Sequence, residues 1–139
     1  MSGTAPHLTY TPNGDFNGSD NFTFNVNDGT IDSVTAIVSI TISPVNDAPV
    51  VDTQSVLTDK NTGKTIALTA SDVDGDLLTY NFTNPGNGTL SGMASNLIYM
   101  PNTDYTGPDS FTVQASDGAL VSDIATVSIT VNAASPTQF

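Results

Sequence analysis

The segment LTYTPNGDFNGSDNFTFNVNDGTIDSVTAIVSITIS, beginning at Leu8, aligns without a gap on LIYMPNTDYTGPDSFTVQASDGALVSDIATVSITVN, beginning at Leu97, an offset of 89 residues. The alignment pairs Tyr10 with Tyr99, Pro12 with Pro101, Asp15 with Asp104, Gly18 with Gly107, Asp20 with Asp109, Phe22 with Phe111, Asp28 with Asp117 and Gly29 with Gly118. A period of this size is a domain rather than a solenoid unit. The chain therefore reads as one complete repeat over residues 46–132, preceded over 1–45 by the C-terminal half of another and followed by a tail at 133–139.

Alternation of apolar and polar residues assigns the repeat to β-structure. Ala125, Val127, Ile129 and Val131 point one way in the last strand, and Thr126, Ser128 and Thr130 the other. The strand before it is expected to bury Phe111, Val113 and Ala115. Earlier strands are expected to bury Ile66, Leu68 and Ala70, then Leu78, Tyr80 and Phe82, then Leu97 and Tyr99. The stretch NPGNG (84–88) and the two Asp-Gly pairs of the aligned segments supply turns. No segment has a helical period. Short strands with turn signals every few residues predict an all-β Greek-key sandwich.

The half-repeat has a physical difficulty. Its strands present Phe22, Phe24, Val26, Ala36, Val38, Ile40 and Ile42, with no opposite sheet in its own sequence. A segment this short rarely folds alone. Another copy of the half-repeat, a neighbouring chain, or nothing at all in an artificial truncation would lie against that face, and its open edges allow swapping or polymerisation. The start Met1-Ser2-Gly3 does not read as a signal peptide, and the chain is expected to be a piece of a longer one.

Charge narrows the function. All 14 acidic residues are Asp, against two Lys and no Arg, giving a formal charge of −12. No basic patch is available to neutralise phosphates, so nucleic acid is not an expected partner. No apolar run approaches a membrane span, so insertion is not expected either. The chain has no Cys, which leaves the redox compartment open. Its counter-ions are then metals or solvent.

The stretch SDVDGDLLTY (71–80) carries Asp72, Asp74 and Asp76 around Gly75. It is not an EF-hand loop, which needs Gly at its sixth position and a bidentate Glu at its twelfth. Counted from Asp72, those positions hold Leu77 and Thr83, and the chain contains no Glu. Any further ligands must come from elsewhere in the fold.

Together, VNDAPVV (45–51), TASDVDGDLLTYNF (69–82), YMPNTDYTGPDSFTVQASDG (99–118) and ATVSITV (125–131) resemble the bacterial cadherin-like tandem repeats of surface adhesins and large secreted proteins. The resemblance covers nearly the whole chain. It implies a cadherin/Ig-like β-sandwich with calcium held at the junction between consecutive domains, on the cell surface or outside the cell. Carried over by motif, it offers Asn46 and Asp47 from the linker, Asp72 and Asp74 from the loop between the second and third strands, and Asp117 before the final strand. These would meet at the upper pole of the complete repeat, with Asp15 and Asp20 of the half-repeat facing the same junction. Cadherins proper also use Glu, which is lacking here, and VNAASP places Ala133 where Asp47 stood, so the lower pole near Asp104 and Asp109 is not expected to hold a full site.

Several carboxylates with amide or carbonyl oxygens suit calcium, which takes six to eight oxygens in flexible geometry. Three converging Asp side chains repel one another without a cation. The expected affinity is that of extracellular modules, on the order of 10⁻⁴ to 10⁻³ M. At about 100 times the dissociation constant, the ion adds roughly 2.7 kcal/mol to stability. Asp28, Asp32, Asp52, Asp59 and Asp123 read instead as turn residues, and Asp76 stands between ligand and solvent-facing turn residue.

Catalysis has little support: His7 has no nucleophile at a telling spacing. The function read from the sequence is a non-catalytic structural or adhesive module, stiffened by calcium at the inter-repeat junction. Its partners would be neighbouring repeats or copies of the same chain, including self-assembly into fibres or oligomers through the half-repeat. The alternative is a carbohydrate-binding module of a secreted enzyme or matrix protein, with surface or matrix polysaccharide as ligand. Of the tyrosines that could stack on sugar, Tyr10, Tyr80 and Tyr99 fall on inward positions, leaving mainly Tyr105.

Overall fold

The computed structural model describes residues 1–134, so residues 135–139 of the expected tail lie outside the described residues. The chain divides into two compact units, Met1–Val45 and Asn46–Phe139. No helix among the described residues is long and apolar enough to cross a membrane.

The first unit is built from two hairpins. Strands β1 (Ser2–Thr4) and β2 (His7–Thr9) pair antiparallel, and so do β3 (Gly18–Phe24) and β4 (Ala36–Ile42). The second unit carries β5 (Val50–Val51), β6 (Gln54–Asp59), β7 (Lys64–Ala67), β8 (Ala70–Ser71), β9 (Thr79–Phe82), β10 (Gly88–Met93), β11 (Asn96–Pro101), β12 (Gly107–Ser116) and β13 (Ala125–Asn132). Its main sheets run β6-β13-β12-β9 and β10-β11-β7, with β5-β8 as a short third pair. All pairings are antiparallel except that of β13 with β6. This is an all-β sandwich.

The period-two pattern explains the core of the second unit. Phe111, Val113 and Ala115 of β12 and Ala125, Val127, Ile129 and Val131 of β13 are buried, as are Ile66, Leu68, Leu97 and Tyr99 from the facing side. Val51, Val56, Tyr80, Leu90 and Tyr105 pack against that cluster. Burial of this apolar surface, at about 25 cal/mol per Å², is the main term holding the two sheets together. Three expected core residues differ: Ala70 and Leu78 are half-buried and lie outside the core cluster, and Phe82 is 38% exposed. Phe82 lies at the end of β9, an outer strand of its sheet, where its partner Val113 is the only strand neighbour.

The hairpin β3-β4 reproduces β12-β13 residue for residue. Gly18 pairs with Ile42 as Gly107 does with Val131, and Phe22 with Val38 as Phe111 does with Val127. The equivalence also reaches further toward the N-terminus than Leu8. Ser2-Gly3 repeats Ser91-Gly92, so β1 and β2 correspond to part of β10 and β11. Gly3 and Gly92 have φ of 101° and 95°, and a Cβ on either would stand 2.6 or 2.7 Å from a carbonyl oxygen across the hairpin. Only glycine fits both demands.

Burial separates the two units. Leu8, Phe24 and Val26 are 48%, 47% and 63% exposed, whereas their counterparts Leu97, Val113 and Ala115 are 0%, 1% and 1% exposed.

Candidate metal centre

Three segments of the second unit converge on its acidic cluster: the start of the unit at Asn46-Asp47, the loop after β8, and the turn after β12. The loop is shaped by Asp72. Its carbonyl accepts from the Gly75 N–H at 3.2 Å, closing a turn in which Gly75 takes φ of 78°. Its Oδ1 accepts from the N–H groups of Asp74 and Asp76 at 2.9 and 3.3 Å. That leaves Asp72 Oδ2 buried without a hydrogen-bond partner. A buried carboxylate oxygen without a partner is costly unless something positive reaches it.

Asp117 supplies the second corner. Its Oδ1 accepts from the N–H groups of Leu120 and Ala119 at 2.6 and 2.7 Å, an Asx-type turn, and its Oδ2 accepts from Asn46 Nδ2 at 2.7 Å. The Leu120 N–H, then the Asn46 amide and the Ala119 N–H, hold its carboxyl below the usual carboxylate range. The group is thus kept anionic. Asp76 completes the cluster: one oxygen each from Asp72, Asp76 and Asp117 lies within 4.8 Å of the other two. Among the described residues, this is the one grouping of three acidic side chains spaced to share an ion.

The other sequence-derived candidates fall in different places. Asp74 is not one of the three clustered carboxylates; its Oδ2 accepts the Asp47 backbone N–H at 2.7 Å. Asn46 and Asp47 therefore anchor the start of the unit to two segments, one through Asp117 and one through Asp74. Asp76, which the sequence left between ligand and turn residue, is the member that joins Asp72 and Asp117. The difference lies in the direction of alternate side chains around Gly75, which the order of residues does not encode.

Asp15 and Asp20 belong to the first unit. Asp15 has φ of 61° within the turn that the Phe16 N–H closes on the Asn13 carbonyl. Asp20 is engaged by its own unit, accepting the Tyr10 hydroxyl at 2.6 Å and the Asn21 N–H at 2.8 Å, and the Tyr10 bond leads in lowering its pKa. Its counterpart Asp109 accepts the Tyr99 hydroxyl at 2.8 Å and the N–H groups of Gly86, Asn87 and Ser110 at 3.0, 3.0 and 2.9 Å. Asp104 is paired with Asn61, accepting its Nδ2 at 2.9 Å and donating its own N–H to the Asn61 amide oxygen at 2.8 Å. This Tyr–Asp lock occurs in both units, and the matched spacing of Tyr10 to Asp20 and Tyr99 to Asp109 was its signal in the sequence. Tyr105, the tyrosine left for sugar stacking, donates its hydroxyl to the Pro108 carbonyl and packs against the core.

The sequence matches the family profile described as bacterial Ig domain over residues 1–41 and again over 46–130. Among solved structures, the chain resembles the human mucin-like protocadherin EC1-2 fragment with a TM-score of 0.58 and 18% identity, over 92% of this chain and 74% of that one. An endo-fucoidan hydrolase of glycoside hydrolase family 107, MfFcnA4, is similar with a TM-score of 0.50 and 21% identity. That match covers 99% of this chain but only 24% of the hydrolase's length. At these identities the likeness concerns the fold. No curated protein matches the sequence.

Proposed function

This chain belongs to the bacterial Ig domain family, and from that premise we propose that it is a non-catalytic structural or adhesive module of an extracellular or surface protein, stiffened by calcium at one pole of the complete repeat. One observation carries the calcium reading: the oxygens of Asp72, Asp76 and Asp117 converge while Asp72 Oδ2 is buried without a partner. All three are hard, anionic oxygen donors, the set that calcium prefers over softer metals. In this reading Asp72, Asp76 and Asp117 ligate the ion. Asp74, Asn46 and Asp47 position the start of the unit against it, and backbone carbonyls or water complete the shell.

The ion would act mechanically. It ties the residues entering the repeat to two of its loops, so motion about Val45-Asn46 is restrained when calcium is bound. The half-repeat contributes an uncovered apolar face for joining other repeats or other copies. Carbohydrate binding is the second reading, drawn from the hydrolase in which a similar fold occupies part of the chain. The inward or anchored tyrosines leave it less to work with, and a glycan pull-down separates the two.

Thermal unfolding in EDTA and in millimolar calcium, with magnesium as control, tests the proposal. A calcium-specific rise in midpoint is expected, lost in Asp72→Asn and Asp76→Asn and largely kept in Asp74→Asn. An equal midpoint in EDTA and calcium would reduce the cluster to turn chemistry.

A further inference from the structure

The dipeptide Asn-Gly occurs three times in the chain, at 13–14, 17–18 and 87–88. In this pairing the asparagine side chain is open to attack by the backbone nitrogen that follows it, because glycine puts no Cβ in the way. The three copies stand in different settings, and Asn102-Thr103 supplies a control.

Asn13-Gly14 lies in the turn that the Phe16 N–H closes on the Asn13 carbonyl at 3.1 Å. Both residues are exposed, and a Cβ on Gly14 would meet nothing within 4 Å. The complete repeat holds the same turn at the aligned place, where the Tyr105 N–H reaches the Asn102 carbonyl at 3.0 Å. Asn102 and Thr103 are exposed there although the first half of that repeat is in place. Exposure therefore belongs to the turn itself and does not depend on whether the apolar face of the half-repeat is covered. The control differs in chemistry: Thr103 sets a β-branched side chain beside the nitrogen that would attack.

Asn87-Gly88 is the opposite case. The Asn87 N–H donates to Asp109 Oδ2 at 3.0 Å, and the Asn87 carbonyl accepts from the Asn102 N–H at 2.8 Å. Gly88 is paired with Pro101 in β10, with the Tyr99 ring so close that a Cβ would overlap it. Closing a five-membered imide needs the asparagine backbone to rotate until the glycine nitrogen meets Cγ, and these contacts oppose that rotation. Asn17-Gly18 is intermediate: Asn17 is exposed, but Gly18 opens β3 opposite Ile42.

We propose that Asn13 is a site of self-modification, deamidating through a cyclic imide while Asn87 and Asn102 keep their amides in the folded chain. Hydroxide takes the Gly14 N–H proton, the nitrogen attacks Asn13 Cγ, and the side-chain amide leaves as ammonia with a proton from water. Water then opens the imide at either carbonyl, giving aspartate or isoaspartate, and no enzyme or oxidant is required. Either product adds a carboxylate near Asp15, in a chain whose formal charge is already −12. The isoaspartyl form also routes the main chain through the former side chain, lengthening the turn by one atom. The site marks the half-repeat and spares the complete one. It is independent of the calcium reading, because none of the residues involved belongs to the acidic cluster.

The test incubates the full, folded chain at mildly alkaline pH in heavy-oxygen water and follows each asparagine by peptide mass spectrometry, with electron-transfer fragmentation to separate aspartate from isoaspartate. Asn13 is expected to lose its amide first and Asn17 more slowly, each product carrying an oxygen from the solvent, while Asn87 and Asn102 keep theirs. In denaturant, Asn87 should rise to the rate of Asn13 while Asn102 stays slow. Gly14→Ala, for which the turn has room, should slow the loss at Asn13 several-fold and leave the melting of the complete repeat unchanged. Three results overturn the proposal. They are an Asn13 that lasts as long as Asn102 in the folded chain, equal rates at Asn13 and Asn87 in the folded chain, and an unchanged rate in Gly14→Ala.

Discussion

The half-repeat and the complete repeat contain the same hairpin in the same register, yet only one of them is buried. Even the turn details agree. Asp28 Oδ1 accepts from the N–H groups of Thr30 and Ile31 as Asp117 Oδ1 does from those of Ala119 and Leu120. Ser33 caps the Val26 N–H through its hydroxyl as Ser122 caps that of Ala115. Local chemistry therefore fixes strand, turn and register, while burial depends on strands contributed from elsewhere. A hairpin alone is marginally stable in water, so the comparison predicts a large difference in how the two units respond to the same mutation.

The sharpest break would come from truncating the shared phenylalanine. Phe111 is 2% exposed within the core, and Phe111→Ala should destabilise the complete repeat by about 3–5 kcal/mol through lost burial and a residual cavity. Phe22→Ala removes a side chain that already borders an open cavity and should cost about 1 kcal/mol or less. Denaturant unfolding followed by residue-resolved hydrogen exchange reads the two units separately. Equal costs would mean that the first unit has a core of its own in solution.

A smaller contrast is expected at the Tyr–Asp lock. Asp109 gathers three backbone N–H groups and a tyrosine hydroxyl, tying the 84–88 turn to β12. Asp109→Asn keeps the shape but removes the charge that these donors favour, and should cost about 2 kcal/mol. Asp20→Asn touches only Tyr10 and Asn21 and should shift the unfolding midpoint much less. The difference arises because the turn that donates to Asp109 lies in a first half, and the half-repeat has no such turn.

Much of this was legible in the sequence, for reasons that particular residues make plain. Ala125, Val127, Ile129 and Val131 alternate with hydroxyl residues, so their face follows from strand geometry alone. The internal alignment carried the turn at Asp117-Gly118 from one unit to the other. The hairpin at Ser2–Thr9 was harder to see. Its match to Ser91–Ile98 rests on few identities, and its diagnostic feature is a positive φ at glycine that has no letter of its own. The cluster was legible only in part. Segments rich in Asp could be expected to converge, but Asp76 rather than Asp74 joining Asp72 depends on which way each side chain leaves a turn. Phe82 shows the limit of alternation, because the pattern gives the face of a strand and not whether the strand lies at the edge of its sheet.

The smallest predicted effect is also the most direct probe of burial, because it compares one chemical group in two settings. Tyr10 and Tyr99 each donate a hydroxyl hydrogen bond to the aligned aspartate. Both phenols are raised above their ordinary pKa, but for Tyr10 the Asp20 hydrogen bond leads, whereas for Tyr99 burial leads and the Asp109 bond comes second. A raised phenol pKa means that the unfolded chain loses its proton first. Its contribution to stability is complete below the unfolded value of about 10 and declines as pH rises toward the folded value. Ultraviolet titration of the chain against Tyr10→Phe and Tyr99→Phe should therefore show Tyr10 ionising reversibly ahead of Tyr99, with Tyr99 ionising together with the unfolding of the complete repeat. A titration of Tyr10 coincident with that of Tyr99 in the chain alone would show that the half-repeat is already covered, and the contrast between the two units would then hold for neither their cores nor their tyrosines.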